Sequence, residues 1–235
     1  MPAPSADAIA RHPHLGDERD NRRIRVDLHT HTMWSGDSTT TPDEFALAVE
    51  ESGLDVVCIT DHNAIEGAVA LRDRVACRVI VGEELRTAAG EIIGLFLTER
   101  VPMGGSHVDA AKAIRDQGGV VYIPHPFDPM RRNIAEDALY ELAEADLIDA
   151  VEVLNAKTSL SSLNRRAAEF AAEFGIVGGA GSDGHVPDAL GAAYVEMADF
   201  DTPMEFLASL AAAEVKGHHW DEPRPWTPRI IPSVT

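Results

Sequence analysis

The stretch Val26-Asp27-Leu28-His29-Thr30-His31-Thr32 places two imidazoles two residues apart at the end of an apolar, β-branched run. Side chains at positions i and i+2 of a strand point to the same face, so His29 and His31 can bind one metal ion. Histidine is the commonest metal ligand, and its neutral ring suits a divalent transition metal. The stretch therefore predicts a metal site at the end of a strand.

The composition is that of a folded domain with a sizeable core. The chain has 235 residues, of which 45% are apolar and 25% charged, a length at which an α/β barrel forms one domain. Its two cysteines, Cys58 and Cys77, form no Cys-x-x-Cys pattern, so neither a disulfide framework nor a thiolate zinc site is predicted. There is no signal-peptide pattern and no apolar run of roughly 18 residues, so we expect a cytoplasmic protein without a membrane partner.

The net charge restricts the class of partner. Twenty basic and 39 acidic residues give −19, which opposes the attraction of a long nucleic-acid duplex. A small anionic substrate, such as a mononucleotide or a short oligonucleotide, remains compatible with this charge. The sequence carries no indication of the oligomeric state.

Predicted strands and helices alternate along most of the chain. Residues 1–23 lack periodicity and are predicted to form an N-terminal arm, residues 24–215 form the main domain, and residues 216–235 form a proline-rich tail packed on it. The predicted strands cover 24–28, 55–60, 78–84, 91–97, 120–123, 148–154, 176–179 and 192–197. The predicted helices cover 42–53, a stretch ending near 76, 107–117, 136–145, 160–174 and 203–213.

This alternation predicts an α/β fold with helical crossovers between parallel strands. About seven strand–helix units favour a barrel over an open sheet. Residues 86–90 separate two apolar runs and predict a hairpin within the otherwise parallel pattern. The polar candidates lie at or just beyond the C-terminal ends of the predicted strands, where barrel enzymes build their active sites.

Four segments carry these candidates, together with Asp37 and Glu84. The segments are Asp27-Leu28-His29-Thr30-His31, Thr60-Asp61-His62-Asn63, Pro124-His125-Pro126 and Ser182-Asp183-Gly184-His185. In this order they resemble the motifs of the polymerase and histidinol phosphatase (PHP) domain family, and the resemblance covers nearly all of residues 24–215. The stretches 90–97 and 152–155 look like the small stand-alone phosphoesterases of that family.

The resemblance implies a distorted (β/α)7 TIM-like barrel that binds two to three divalent metal ions, such as Zn, Mn or Fe. One metal position would be formed by His29, His31, Glu84 and Asp183. Glu84 would also serve a second position with His125, and a third would be formed by Asp37, His62 and His185. Many family members carry a histidine where this chain has Glu91, so the second position uses a carboxylate or is weak or empty.

Clustered divalent cations hold phosphoryl oxygens, lower the pKa of a bound water and neutralise the leaving oxygen. The resemblance thus implies a metal-dependent phosphoesterase that cleaves a phosphate monoester, or a short phosphodiester, of a small metabolite or nucleotide. The candidates for proton transfer are His185, Asp183 and His62. The candidates for substrate binding are Arg131 and Arg132, whose guanidinium groups suit phosphate, followed by Asn155 and Lys157.

Other interpretations of the same residues stay open. Asp61 can cap a helix, Glu152 can be a buried ion partner or a site residue, and His12 and His14 are expected to lie in a solvated arm. Alternation places Glu83 on the face opposite Glu84. A metal-dependent C–N bond hydrolase of the amidohydrolase type, or a metal-stabilised scaffold without catalysis, is compatible with the same ligand pattern.

Overall fold

The computed structural model describes residues 22–220. Its strands are β1 Arg23–Thr30, β2 Val56–Ile59, β3 Arg78–Thr87, β4 Gly90–Leu95, β5 Val120–Ile123, β6 Ala150–Asn155, β7 Val177–Gly181, β8 Ala193–Ala198 and β9 Glu214–Gly217. Its α-helices are α1 Pro42–Ser52, α2 Glu66–Leu71, α3 His107–Asp116, α4 Glu136–Glu144, α5 Ser161–Phe174 and α6 Pro203–Ala211. Short 3-10 turns lie at Met33–Ser35 and Pro187–Ala189.

The strands form a nearly closed, barrel-shaped sheet, which confirms the predicted α/β class and the distorted TIM-like barrel. The strand order is β7-β6-β5-β4-β3-β2-β1-β8-β9, with β1–β3 and β5–β7 running parallel within each group. The loop after β7 returns to β1, where Asp183 N donates to His29 O at 2.8 Å and His31 N donates to Gly184 O at 3.0 Å. The first and last parallel strands therefore end side by side.

The first helix forms as the sequence predicts. Thr41 precedes it, and its side chain accepts a hydrogen bond from Glu44 N while the Glu44 carboxylate accepts one from Thr41 N. This capping box satisfies two backbone donors that a helix N-terminus leaves unpaired. Pro42 occupies the first turn, and Gly53 ends the helix in the left-handed conformation with a φ of 67°.

The predicted hairpin is confirmed, but its first strand runs three residues further than expected and its second ends two residues earlier. β3 and β4 pair antiparallel up to Thr87 and Gly90, so only Ala88 and Ala89 form the turn. Gly90 has a φ of 127°, and a side chain there would collide with the backbone of the segment around Ile134. As a result Glu84 lies inside β3, not at its C-terminal end as predicted.

The last strand differs from the sequence prediction. β9 pairs antiparallel with β8, with Val215 opposite Val195, and so continues across the boundary predicted between residues 215 and 216. Trp220 N also donates to Ala156 O at 2.7 Å. The described start of the predicted tail is therefore held against the barrel, while the predicted arm before residue 22, with His12 and His14, lies outside the described residues. The helix predicted to end near 76 ends at Leu71.

The core has an inner and an outer layer. Inside the barrel, Leu28 and Tyr122 pack with other fully buried side chains of the strands. Outside it, Leu139 and Phe170 join a second cluster between the sheet and its helices. Among the described residues, no helix has the length and apolar character needed to cross a membrane.

Candidate metal centre

Four of the predicted ligand atoms converge at one point inside the rim of the barrel. Nε2 of His29 and Nε2 of His31 are 3.0 Å apart. Glu84 Oε2 lies 3.5 and 3.3 Å from these two nitrogens, and Asp183 Oδ1 lies 3.9 and 3.5 Å from them. Ligands about 2.0–2.1 Å from a tetrahedral metal are roughly 3.4 Å from one another. The spacing of His29, His31 and Glu84 fits one metal position, while an Asp183 oxygen forms a second such triad with His29 and His125.

The outer nitrogens of both histidines face acceptors. His29 Nδ1 lies 3.1 Å from Glu152 Oε1, and His31 Nδ1 lies 2.8 Å from the Ser35 hydroxyl. That hydroxyl donates its own hydrogen to Asp61 Oδ1 at 2.7 Å, so it accepts from His31. Nδ1 of both rings therefore acts as the donor, which leaves Nε2 facing the shared point, the arrangement that metal-binding histidines require.

Two buried nitrogens 3.0 Å apart need a proton or a metal ion between them, because two facing lone pairs repel. Although burial opposes it, the carboxylates of Glu152 and Glu84 hold the pKa of His29 well above its usual value. Burial, reinforced by neighbouring imidazoles, holds the pKa of His31 well below its usual value. The carboxylates thus favour a cation at this point, and the donor set fits a divalent metal ion.

The third predicted group is also brought together. Asp37 lies beyond the 3-10 turn after β1, with Oδ2 3.2 Å from His62 Nε2 and Oδ1 3.4 Å from His185 Nε2. Hydrogen bonds to Asp37 and Glu84 outweigh burial and raise the pKa of His62 to about 10. The two imidazoles in turn hold the pKa of Asp37 well below its usual value despite its partial burial.

Glu84 connects the predicted positions. Its Oε1 lies 3.0 Å from His125 Nε2, whereas its Oε2 faces the other histidines, including His62 Nδ1 at 3.0 Å. Glu91 is buried nearby, with Oε1 3.9 Å from His62 Nδ1 and 3.4 Å from Arg86 Nε. His62, Glu84 and Glu91 offer three ligand atoms within 4.8 Å of one another. The structure thus places Glu91 at the edge of the cluster, next to both an imidazole and a guanidinium group.

Two predicted ligands have strained backbone conformations. His125 and Asp183 have φ values of 29° and 51°, in a region that residues with a side chain rarely adopt. His125 N is held by Glu152 Oε2 at 2.8 Å, and Asp183 N by His29 O. Strain of this kind is found at functional sites, where surrounding contacts hold it in place.

An open cavity of about 170 Å³ lies over the cluster. Arg131 and Arg132, predicted to bind substrate, both line it, and Arg131 Nε lies 3.7 Å from Asp183 Oδ2. Lys157 Nζ lies 3.4 Å from Asp183 Oδ1 and 2.9 Å from His185 Nδ1. The complete lining is Asp37, His62, Glu84, Arg86, Glu91, His125, Met130, Arg131, Arg132, Asp183 and His185.

The structure corrects the substrate-binding role predicted for Asn155. Its side chain is buried, and its amide nitrogen donates to Glu152 Oε2 at 2.9 Å and to Asp183 Oδ2 at 3.3 Å. Its amide oxygen accepts from the backbone N–H groups of Lys157 and Thr158. Because both hydrogens and both lone pairs are used, none of the amide is available to a substrate.

The helix-capping interpretation of Asp61 is wrong. The following helix begins only at Glu66, whereas Asp61 is buried and accepts from Thr32 N, Thr32 Oγ1 and Ser35 Oγ at 2.6–2.7 Å. It therefore fixes the turn after β1 and, through Ser35, the ring of His31. Glu83 does face away from the cluster, as predicted, and accepts from Val101 N at 2.8 Å.

Arg86 is a site residue that the sequence analysis missed. It lines the cavity and reaches Glu91, and it lies two residues beyond Glu84 on the same strand. The signal was present in the alternation of β3, since side chains at i and i+2 share a face. It went unused because the strand was predicted to end at residue 84.

Two curated relatives match this chain over most of their own length. The uncharacterized protein MJ1587 of Methanocaldococcus jannaschii is 37% identical over 146 residues, which is 57% of this chain and 82% of that protein. The uncharacterized protein MJ0417 of the same organism is 31% identical over 194 residues, 78% of each chain. A short match of 39 residues, 49% identical, is to a protein of Vibrio campbellii named "Probable phosphatase"; it covers 17% of this chain and 16% of that one.

A family model described as PHP-associated matches residues 161–215. A similar fold occurs in a two-domain protein of Bacteroides vulgatus containing a predicted PHP-like metal-dependent phosphoesterase. The two share a TM-score of 0.68 and 16% identity over 84% of this chain, which spans 65% of that one. PsfC of Pseudomonas syringae has a TM-score of 0.63 and 18% identity over 83% of this chain and 91% of its own. An amidohydrolase of Chromobacterium violaceum with bound sulfate has a TM-score of 0.55 and 17% identity, over 71% and 89% of the two chains.

Proposed function

Because the chain belongs to the PHP domain family, we propose that it hydrolyses a phosphate monoester, or a short phosphodiester, of a small metabolite or nucleotide. The observation that carries this proposal is the meeting of two features in one cavity. A cluster of His, Asp and Glu ligand atoms forms its floor, and Arg86, Arg131 and Arg132 lie on its wall. In a chain with a net charge of −19, this concentration of cations is best explained by an anionic substrate.

The cluster would hold two to three divalent ions, such as Zn, Mn or Fe, and its mixed imidazole and carboxylate donors suit all three elements. When bound, such ions hold phosphoryl oxygens, lower the pKa of a water and neutralise negative charge that develops on the leaving oxygen. The holding residues would be His29, His31, Asp37, His62, Glu84, His125, Asp183 and His185, with Glu91 as a further carboxylate.

The arginines would orient the phosphate. Arg131 Nε is buried and makes no hydrogen bond within residues 22–220, and Arg132 is exposed at the cavity wall. A guanidinium fork binds two phosphoryl oxygens at once and remains charged at any physiological pH. Lys157 would add a further positive charge next to Asp183.

When the third metal position is empty, the proton for the leaving group would come from His185 or His62 rather than from Asp183, since an imidazole bound to a metal has no proton to give. Although Asp183 is buried, Lys157 and His29 hold its pKa well below the usual value, so it remains ionised. His185 and His62 both line the cavity and retain some exposure to solvent. Either ring can therefore meet a leaving oxygen that enters from the open side.

The size of the cavity favours a small substrate. Its free space of about 170 Å³ lies below the usual range of small-molecule sites, roughly 300–1,000 Å³, so it suits a phosphate group on a small leaving group. The negative net charge opposes a long duplex. We further propose, on the sequence features given above, that the enzyme acts in the cytoplasm.

The direct test is phosphate release by protein stripped of metal and reloaded separately with Zn²⁺, Mn²⁺ or Fe²⁺. The panel contains mononucleotides, bisphosphates and sugar phosphates, and the H29A/D183A double variant serves as the inactive control. Release by the reloaded protein and not by the variant is expected. No release by fully loaded protein would overturn the proposal, and turnover of amide substrates instead would favour the C–N hydrolase alternative. Equal activity of the double variant would argue against catalysis at this site.

A further inference from the structure

Glu152 lies beneath the metal centre and contacts two of the predicted ligands at once. Its Oε1 is 3.1 Å from His29 Nδ1, and its Oε2 accepts from His125 N at 2.8 Å. The side chain is completely buried on β6 and does not line the cavity. It therefore meets neither substrate nor solvent, and it contacts residues that build the site together with the buried Tyr122 of the core.

Asn155 extends this unit to a third predicted ligand. Its amide nitrogen donates to Glu152 Oε2 at 2.9 Å and to Asp183 Oδ2 at 3.3 Å. One carboxylate and one amide on β6 thus connect His29 of β1, His125 after β5 and Asp183 after β7. These residues come from three separate chain segments, so no local turn fixes their relative positions.

We propose that Glu152 is a positioning residue that holds His29 and His125 in the relative positions needed for metal binding. Asn155, which is hydrogen-bonded to Glu152, fixes the position of Asp183 in the same way. The proposal rests on the metal site of the proposed function, but not on its substrate or reaction. Glu152 keeps the proton of His29 on Nδ1, so that Nε2 is free for a metal ion, and it holds the strained backbone of His125 in place.

A carboxylate suits this task because it accepts hydrogen bonds on both oxygens. Three donors approach Glu152 from two sides, namely the ring of His29 on one and His125 N with the Asn155 amide on the other. A glutamine has one acceptor oxygen and would turn an N–H₂ group toward one of those sides. Glu152→Gln therefore keeps the shape of the side chain and breaks its ability to serve both ligands together.

The test is the metal affinity of Glu152→Gln, measured by competition of Zn²⁺ or Co²⁺ with a chromophoric chelator and without substrate. We expect affinity to fall by about 10–100-fold, the usual effect of losing an outer partner of metal-binding histidines. The loss should be confined to sites that use His29 and His125. The metal-binding event that is lost in His62→Ala should keep its wild-type affinity in Glu152→Gln.

Imidazole ¹⁵N NMR gives a second measurement. In the metal-free wild-type protein His29 should show a protonated Nδ1, and in Glu152→Gln this signal should shift toward that of an unprotonated nitrogen. Asn155→Ala, which leaves every predicted ligand in place, should weaken metal binding as well, but less than Glu152→Gln. It also keeps the proposal testable if the first variant folds poorly.

Glu83→Gln is the matched control. Glu83 is likewise a fully buried carboxylate of the barrel, but it accepts from Val101 N on the opposite face of β3. Wild-type affinity in this control together with weak binding in Glu152→Gln supports the proposal. Wild-type affinity and an unchanged His29 signal in Glu152→Gln, or equal weakening at all sites, would overturn it. Tight metal binding by a wild-type protein that releases no phosphate would instead refute only the proposed function.

Discussion

Arg86 and Glu91 face each other across the β3–β4 hairpin, with Arg86 Nε 3.4 Å from Glu91 Oε1. The same oxygen lies 3.9 Å from His62 Nδ1, at the edge of the predicted metal cluster. Glu91 is buried, whereas the Arg86 side chain is 41% exposed and open to the cavity. Glu91 thus stands between two roles, as a metal ligand and as the ion partner of a phosphate-binding arginine.

Replacing Glu91 by glutamine separates these roles. If Glu91 binds a metal, Glu91→Gln should lose about one equivalent of bound Mn²⁺ or Zn²⁺, because a neutral amide is a much weaker donor than a carboxylate. Metal content by elemental analysis, after dialysis at a fixed free-metal concentration, measures this. Arg86→Ala is the control and should retain full metal content. An unchanged content in Glu91→Gln would leave Glu91 as only the partner of Arg86.

Arg132→Ala should reduce kcat/KM for the phosphorylated substrate by about 10–100-fold, the effect of losing a charged hydrogen bond worth roughly 1.5–3 kcal/mol. Arg132→Lys should restore only part of it, since an ammonium group does not reproduce the planar fork. Steady-state kinetics measure both variants. Arg165→Ala is the matched control, because Arg165 lies on α5, pairs with Glu169 and does not line the cavity. Equal kinetics in Arg132→Ala and Arg165→Ala would remove Arg132 from the site.

Gly181→Ala should damage the metal centre without touching a ligand. A Cβ at Gly181 would collide with His29 Cβ and lie 2.6 Å from Glu152 Oε1. Overpacking of this kind costs about 1–3 kcal/mol of unfolding free energy and here would also displace His29. Urea unfolding and chelator competition report the two effects. Gly105→Ala is the control, because a Cβ there meets nothing within 4 Å, and it should change neither the unfolding free energy nor the metal affinity. Wild-type metal affinity in Gly181→Ala would contradict the prediction.

Metal removal should lower thermal stability. A ligand at 100 times its Kd adds about 2.7 kcal/mol to the free energy of unfolding, which for a chain of this size shifts Tm by roughly 5–10 °C. Differential scanning calorimetry with a chelator, and then with restored metal, measures the shift. The H29A/D183A variant should show little of it. The same Tm with and without metal in the wild-type protein would argue against a metal held by the folded state.

The thiol of Cys77 should resist alkylation in the folded protein. Burial raises its pKa from 9.0 to about 12, so at pH 8.5 the thiolate fraction, and with it the rate of alkylation, is roughly 800-fold lower than in the unfolded chain. Between pH 9 and about pH 12 the unfolded chain binds fewer protons at this thiol than the folded chain does. The free energy of unfolding therefore falls as the pH rises through this range. Iodoacetamide labelling with and without urea, read by mass spectrometry, tests this. Cys77→Ser isolates the slower reaction of buried Cys58, and equally fast labelling of native Cys77 would contradict the prediction.

The sequence predicted the fold because local patterns carry most of it. The alternation of strands and helices, the capping box at Thr41 and the stop at Gly53 each depend on residues close together in the chain. Strand β9 was not predicted, because a run of four residues, Glu214–Gly217, becomes a strand only by pairing with β8. The length of β3 was underestimated for the same reason, since its last residues are held by pairing with β4.

The sequence by itself determined the barrel class and the identity of the predicted ligands, because strand periodicity and motif order are written in neighbouring residues. Only the tertiary structure decided which groups those ligands contact. Glu84 faces His125 with one oxygen and the other histidines with the second. The Asn155 amide is hydrogen-bonded to Glu152 and Asp183, and Arg86 lines the cavity. These contacts join residues tens of positions apart. The distances between their side chains are set by the closure of the barrel, which no local pattern specifies.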